Sequence, residues 1–418
     1  MRVRISPSFL KGQIKIPPSK SYSHRAIICA ALSNGKSIIS NIQFSDDVLA
    51  TINALKAIGA KIEVLDDKLI IHGVDEILLK DKIVDCNESG STLRFIIPIL
   101  ALSGERFLIN GKESLLTRPL GIYEDIINDL SGTFLKKNSM IEVQCDFVSK
   151  EYHIPGNISS QFISGLLFIL PLLKGDSKII IEDKFESKNY VLMTMHILKK
   201  FGIEIKIEEN VIKIKGEQKY KPSDYYVEGD YSQLAFFAVA GVLNGDISCL
   251  GMNHNSLQGD IAIIKTLKEM GAKLDIIENG FIFKKSLTLG KEIDITQTPD
   301  LGPILALLAS LSVGVTIIKG TERLKIKESN RLITTYNTLK ELGADIRIDN
   351  DNLIINGKNE LREAILKSYN DHRIAMMGSV SSVRSLGDVV IEDAEAISKS
   401  YPDFYYDLMK LGAKIIIE

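Results

Sequence analysis

Leu55-Lys-Ala-Ile-Gly-Ala60 is a phrase that this chain repeats. It returns as Leu198-Lys-Lys-Phe-Gly-Ile203, Leu267-Lys-Glu-Met-Gly-Ala272, Leu339-Lys-Glu-Leu-Gly-Ala344 and Leu408-Met-Lys-Leu-Gly-Ala413, with a degenerate copy at Ile127-Asn-Asp-Leu-Ser-Gly132. The first positions, 55, 127, 198, 267, 339 and 408, are separated by 69 to 72 residues. A fixed period of this kind marks an internal repeat and is the strongest statement the sequence makes about fold. Each glycine is placed to end a helix in the left-handed conformation. After most copies come two short β-branched runs about a polar turn, such as Lys61–Leu65 and Leu69–His72 about Asp66-Asp67, which predicts a β-hairpin.

A second series runs out of phase with the first. Small polar residues open apolar helices at Ser21, Ser91, Ser160, Ser232, Asp300 and His372, at spacings of 68 to 72 residues. The repeating unit is therefore a polar helix start, an apolar helix, a strand, a second helix ending in glycine, and a hairpin. If such units pack about a common axis, the apolar helices lie parallel and their N-termini share one end. Several positive dipole ends then face one region, which suits a polyanionic ligand.

The residues at these starts sharpen that expectation. In Pro17-Pro-Ser-Lys-Ser-Tyr-Ser-His-Arg25, two prolines hold the chain extended, Ser19 or a neighbour caps a helix, and Lys20, Ser21, Ser23 and Arg25 crowd its first turn. In Glu88-Ser-Gly-Ser-Thr-Leu-Arg94, Gly90 lets a ligand approach the backbone, while Arg94 is as well suited to pairing with an acid. Arg118 stands on a proline-fixed turn. Ser159, Ser160 and Gln161 place three hydrogen-bonding side chains where a cap needs one. Ser187-Lys-Asn-Tyr190 adds a polar rim, and Gly229-Asp-Tyr-Ser232 reads as capping and structure. Asp300 reads first as a capping carboxylate and alternatively as a partly desolvated general base. Lys325, Lys327, Glu328 and Arg331 fall within one short segment, Arg373 sits in another first turn, and Lys399 closes the series. Lys20, Arg25, Arg118, Lys327, Arg331, Arg373 and Lys399 are thus seven cations near helix starts or turns, with Asp300 and Glu328 among them as an acid–base pair.

Composition limits the alternatives. The 418 residues are 45% hydrophobic and 25% charged, as in globular proteins with two or three domains. A net charge of −2 argues against bulk nucleic-acid binding, so the cationic chemistry is local. Cys29, Cys86, Cys145 and Cys249 are scattered and read as buried reduced thiols of a cytoplasmic protein. No histidine spacing suggests a metal site. The uncharged run Leu301–Ile318 reads as a buried helix turning into a strand, not a membrane span. Lys11, Gln13 and Lys15 interrupt any signal-peptide pattern at the N-terminus. There is no nucleophile elbow, phosphate-binding Gly-rich loop or dinucleotide fingerprint, which points away from nucleotide hydrolysis, hydride transfer and serine-type acyl chemistry.

Taken in order, the blocks P-P-S-K-S-Y-S-H-R-A, S-G-S-T-L-R, R-P-L-G, S-S-Q-F-I-S-G, S-K-N-Y, E-G-D-Y-S-Q, P-D-L-G-P, K-I-K-E-S-N-R-L, N-D-H-R-I-A-M and K-S-Y-P-D-F resemble the 5-enolpyruvylshikimate-3-phosphate synthases, from Gly12 to about Leu411. The resemblance implies an α/β fold of two similar domains, each a threefold arrangement of βαβαββ units (an inside-out α/β barrel), six repeats in all. It implies one lobe over 20–227, a second over 1–19 and 228–418, and an active site in the cleft between them. The implied reaction joins phosphoenolpyruvate to the 5-hydroxyl of shikimate 3-phosphate through a tetrahedral intermediate and releases phosphate. No metal or organic cofactor is implied, nor a nucleic-acid or membrane partner, and a monomer is the family expectation. Position by position, Lys20, Ser21, Arg25, Ser159, Ser160, Gln161, Ser187, Asp300 and Lys327 are implied to meet shikimate 3-phosphate, with Tyr190 lining the pocket. Lys20, Gly90, Arg118, Gln161, Arg331, Arg373 and Lys399 are implied to meet phosphoenolpyruvate. Asp300 matches the proton acceptor for the attacking hydroxyl and Glu328 the proton donor to the methylene carbon, with Lys20 as the third catalytic group. Glu88 departs from the asparagine of many members, and Arg323 from the asparagine of some. With no transit segment before the match and no fused pathway enzyme, a bacterial-type single enzyme is implied.

Two rival readings remain. The sister transferase acting on UDP-N-acetylglucosamine shares the sixfold repeat, but it carries a K-N-A-type block at the first helix start. It also has a reactive cysteine on a mobile loop, and Gly111–Thr117 here has none. A non-catalytic sensor of phosphorylated metabolites would have no need of Asp300, Glu328 and Lys20 together.

Overall fold

The computed structural model describes residues 1–137 and 140–418. The chain divides into two compact lobes, Pro18–Val227 and the combination of Met1–Pro17 with Glu228–Glu418. Each has its own hydrophobic core. Each is α/β, with three βαβαββ units and three four-stranded sheets among the described residues.

One unit explains the rest. Edge strand Ile83–Asp85 leads into helix Gly90–Ala101, then strand Phe107–Asn110, helix Gly121–Asp129 and the hairpin Thr133–Lys137 with Met140–Gln144. The edge strand pairs parallel to the second strand, which pairs antiparallel to the last strand of the hairpin. The chain termini of the lobes fill gaps in this scheme. Tyr225–Tyr226 supplies the parallel edge of the first sheet, beside Lys36–Ser40. Leu10–Lys15 does the same for the fourth, beside Gly245–Leu250. In the sixth sheet Arg2–Ser6 takes the inner hairpin position, between Val389–Glu392 and Lys414–Ile417.

The apolar helices that open the units are α1 (Lys20–Ala31), α2 (Gly90–Ala101), α3 (Ser160–Ile169), α4 (Tyr231–Asn244), α5 (Gly302–Ser310) and α6 (His372–Ser381). Every residue of α5 is buried, and so is every residue of α4 but Asn244, as befits helices that are apolar all round. They lie inside, with α4, α5 and α6 packed pairwise. In the other lobe α2 packs on α3, and helices Asp46–Lys56 and Lys188–Lys200 bridge α1 to α2 and α1 to α3. The sheets lie outside; Ser177–Glu182 alternates buried and outward-facing residues, as a one-sided sheet should. The run Leu301–Ile318 is the buried helix α5 followed by strand Val315–Lys319. No helix among the described residues is long and apolar enough to cross a membrane. All four cysteines are buried free thiols.

The helix-ending glycines Gly59, Gly202, Gly271, Gly343 and Gly412 have φ between 79° and 96°. The degenerate copy departs from the expectation. There Ser131 takes the left-handed position at φ 57°, and Gly132 serves close packing, since a Cβ on it would lie 2.6 Å from the Gln144 carbonyl oxygen. A stricter contact occurs where α3 crosses α2. A Cβ on Gly165 would fall 2.1 Å from the Tyr123 hydroxyl oxygen and 2.6 Å from the Arg94 carbonyl oxygen, two atoms already hydrogen-bonded to each other at 2.6 Å. Gly165→Ala is expected to destabilise this lobe by about 2 kcal/mol through overpacking, read as a lower denaturant midpoint at unchanged slope.

Candidate active site

In the Pro18–Val227 lobe, Ser19 caps α1 by accepting from the Tyr22 amide, which puts Lys20 at the first helical position. Lys20 Nζ donates to Asp47 Oδ2 at 2.5 Å, and Asp47 lies in the first turn of helix Asp46–Lys56. One turn along α1, Arg25 is buried. Its guanidinium donates to Thr194 Oγ1 (2.7 Å) and to the carbonyls of Ser21 (2.8 Å) and Tyr190 (3.2 Å), with its Cζ 5.1 Å from the Phe95 ring centre. Burial lowers its pKa to about 10, so it stays charged at neutral pH. Arg25 thereby ties the start of α1 to helix Lys188–Lys200, whose preceding residue, Ser187, is buried in the left-handed conformation at φ 52°.

Ser89 caps α2 and Ser159 caps α3. These two starts are joined through Gln161, whose Oε1 accepts from Arg94 Nη1 and whose Nε2 donates to Ser91 Oγ, both at 2.8 Å. Arg94 thus holds the Gln161 amide and also donates to the Pro119 carbonyl at 3.3 Å. Gly90 gives room to arginines; a Cβ there would meet Arg118 Nη1 at 2.8 Å and Arg94 Nη1 at 3.1 Å. Contacts therefore gather Gly90, Ser91, Arg94, Arg118, Ser159 and Gln161, with Ser160 opening α3. Glu88 is buried and paired with Lys112 at 3.1 Å.

The other lobe concentrates charge. Asp300 lies in the turn Pro299–Leu301 and does not cap α5, which corrects the simpler reading of that residue. Instead its Oδ1 meets Arg331 Nη1 at 2.8 Å and Lys327 Nζ at 3.1 Å, while its Oδ2 meets Arg373 Nη2 at 3.3 Å. Burial alone would raise its pKa; Arg373, Lys327 and Arg331 outweigh that and hold it well below the usual carboxylate range. Lys327, desolvated more than Asp300 compensates, is lowered to about 8. Glu328 pairs with Arg331 Nη2 at 3.5 Å and with His372 Nδ1 at 2.8 Å. Asp371 caps α6 and also binds Arg331 through Nε (2.8 Å) and Nη2 (3.0 Å). The ligating atoms of Glu328, Asp371 and His372 lie within 4.8 Å of one another, but Arg331 already balances the two carboxylates. Lys399 Nζ donates to the Asn370 carbonyl at 2.5 Å; Tyr369 and Asn370 are both left-handed, at φ 54° and 52°.

This pairing of a cation-clasped aspartate with a glutamate sits in a chain whose residues 5–408 match the sequence profile of EPSP synthase (3-phosphoshikimate 1-carboxyvinyltransferase). The chain belongs to the EPSP synthase family. Among similar proteins, the 3-phosphoshikimate 1-carboxyvinyltransferase of Clostridium perfringens is 47% identical over 98% of both chains. That of Clostridioides difficile is 45% identical over 99% of this chain and 98% of its own. The EPSP synthase structure from Acinetobacter baumannii superposes over 100% of both chains, with a TM-score of 0.84 and 25% identity. Within this EPSP synthase framework, Asp47, Asp371 and the His372 imidazole are partners that no local sequence signal marks. Asp371 and His372 sit in the quoted N-D-H-R block, yet each acts on a residue of the preceding unit, whereas Asp47 lies outside every quoted block and meets Lys20 of its own unit.

Proposed function

We propose that this EPSP synthase family member transfers the enolpyruvyl group of phosphoenolpyruvate to the 5-hydroxyl of shikimate 3-phosphate. The observation that carries the proposal is Asp300, a half-buried carboxylate held ionised by three cations within one lobe that also places Glu328 on Arg331. Asp300 takes the proton of the 5-hydroxyl as its oxygen attacks C2 of phosphoenolpyruvate, and Glu328 delivers a proton to the methylene carbon. The tetrahedral intermediate then loses a proton from that carbon and expels phosphate, restoring the double bond. Lys20 assists at the reacting groups. Shikimate 3-phosphate meets Lys20, Ser21, Arg25, Ser159, Ser160, Gln161, Ser187, Asp300 and Lys327. Phosphoenolpyruvate meets Lys20, Gly90, Arg118, Gln161, Arg331, Arg373 and Lys399. Fixed cations suit a substrate pair rich in phosphate and carboxylate charge. The chain acts as a cytoplasmic monomer and uses neither metal nor organic cofactor.

The test is phosphate release from phosphoenolpyruvate in the presence and absence of shikimate 3-phosphate. Release that needs both is expected. Turnover with UDP-N-acetylglucosamine in place of shikimate 3-phosphate, or binding with no turnover, would favour one of the rival readings. Gly90→Ala gives a finer check. Its new methyl displaces the flexible ends of Arg118 and Arg94 and leaves the backbone alone. Folding stability should barely change, while KM for phosphoenolpyruvate rises about tenfold with little change in KM for shikimate 3-phosphate.

A further inference from the structure

His24 is wholly buried in α1, one turn past Lys20, and the mechanism has no use for it. Burial, and then the charges of Lys20 and Arg25, hold its pKa well below the ordinary value, so the imidazole is neutral and carries one proton. Its Nδ1 lies 2.7 Å from Thr51 Oγ1, and Thr51 Oγ1 lies 2.6 Å from Thr92 Oγ1. The Thr92 hydroxyl donates to Ser89 Oγ at 2.7 Å and toward the Asp47 carbonyl at 3.4 Å. All four side chains are buried. With its one proton directed to Ser89 and Asp47, Thr92 can only accept from Thr51. Thr51 then donates to Thr92 and can only accept from the imidazole. The chain therefore runs one way, from a proton on His24 Nδ1 through Thr51 and Thr92 to Ser89, the cap of α2. Nε2 keeps the lone pair and has no partner among the described residues.

Stability alone does not call for this chain, since leucine at 24 and valine at 51 would fill similar space and orphan no polar atom at either position. What it supplies is a fixed geometry. Lys20 and His24 stand four residues apart on α1, and Asp47 and Thr51 four apart on helix Asp46–Lys56. Two rungs thus join these helices, Lys20–Asp47 on the partly exposed side and His24–Thr51 inside. The inner rung continues through Thr92 to the start of α2, where Gly90 lies. We propose that His24 is a positioning residue for phosphoenolpyruvate, setting the Lys20 end of α1 against the Gly90 end of α2 through Thr51 and Thr92. The inference rests on the function proposed above, in which phosphoenolpyruvate meets both Lys20 and Gly90. Shikimate 3-phosphate depends less on this spacing. Its further contacts lie on α1 and α3, and Arg25 joins those two helices directly through Ser164 (3.4 Å) and by way of Thr194 (2.7 Å), without His24.

The experiment measures KM for each substrate on the full chain, with thermal unfolding run alongside. His24→Leu removes the donor and keeps the volume, so KM for phosphoenolpyruvate should rise about tenfold and KM for shikimate 3-phosphate by less than about threefold. His24→Asn puts an amide N–H where Nδ1 stands. KM for phosphoenolpyruvate should then return to within about threefold of the wild type, although the smaller side chain leaves a cavity and lowers the unfolding temperature. Thr51→Val breaks the chain at its middle without changing shape and should repeat the His24→Leu pattern. A merely structural role would lower the unfolding temperature and leave both KM values of the folded protein in place. An unchanged KM for phosphoenolpyruvate in His24→Leu, or in Thr51→Val should His24→Leu fail to fold, overturns the inference while the assigned function stands. A rise that His24→Asn does not reverse overturns it as well. A wild type without turnover overturns the assigned function and this inference together.

Discussion

Asp300→Ala is expected to lower kcat by about 10² to 10⁴, the usual contribution of a positioned general base, while shikimate 3-phosphate still binds. The three cations around Asp300 make a weak base of it before substrate arrives. Substrate anions change this. On the proposed assignment, phosphoenolpyruvate draws on Arg331 and Arg373 and shikimate 3-phosphate on Lys327, so the clasp should loosen and the carboxylate regain proton affinity as a hydroxyl comes to lie beside it. Removing Asp300 has a second, measurable effect. Lys327 is held at about 8 against the pull of burial partly by Asp300, so its pKa falls further in the variant and it loses its charge at lower pH. Affinity for shikimate 3-phosphate should therefore weaken on the alkaline side sooner in Asp300→Ala than in the wild type, which a calorimetric titration at several pH values resolves. Asp300→Asn separates charge from cavity and should share both effects. Unchanged turnover in either variant removes Asp300 from the mechanism.

What the sequence disclosed follows from what is local. The helix-ending glycines, the hairpins and the serine caps of α1 and α3 depend on one turn of chain, and Ser19 and Ser159 do cap. Apolar runs without polar faces reveal inner helices for the same reason. The exceptions are instructive. Ser131 replaces glycine at a left-handed position because Gly132 is claimed by the Gln144 carbonyl, a contact made across the hairpin. Nothing local to Arg2–Ser6 or Leu10–Lys15 says that they enter the sixth and fourth sheets; the partners lie hundreds of residues away. The candidate site divides along the same line. Lys20, Arg118, Asp300 and Arg373 stand out by type and place, but Asp47 and Asp371 matter only through the cations they hold.

Asp371 shows how much rests on such a partner, and Asp371→Ala is expected to be the most destabilising single change in the charged cluster. The residue is fully buried and accepts from Arg331 Nε and Nη2, from the Ser329 amide and hydroxyl, and from the Arg373 amide at the start of α6. Deleting it strips a helix cap, takes the acceptor from the Ser329 amide and leaves Arg331, 2% exposed, with one fewer counter-charge. Breaking a buried ion pair from one side costs about 3–5 kcal/mol, and the remaining contacts of Arg331 to Asp300 and Glu328 place the expected loss near the lower end, about 3 kcal/mol. For a lobe of about 200 residues that lowers the unfolding temperature by roughly 6–12 °C. Asp371→Asn keeps the shape and part of the hydrogen bonding, so it should lose less stability. It should nonetheless raise KM for phosphoenolpyruvate, because Arg331 then leans further toward Asp300 and Glu328. The pH dependence has a definite sign. The folded pKa of Asp371 is lowered: burial opposes ionisation, but Arg331 more than offsets it. Its contribution to stability is therefore complete above the unfolded value of about 3.9 and is lost as pH falls through the folded one. Acid unfolding curves of wild type and Asp371→Ala should converge at low pH and separate above about pH 4. Parallel curves at every pH would mean that Asp371 contributes by packing alone.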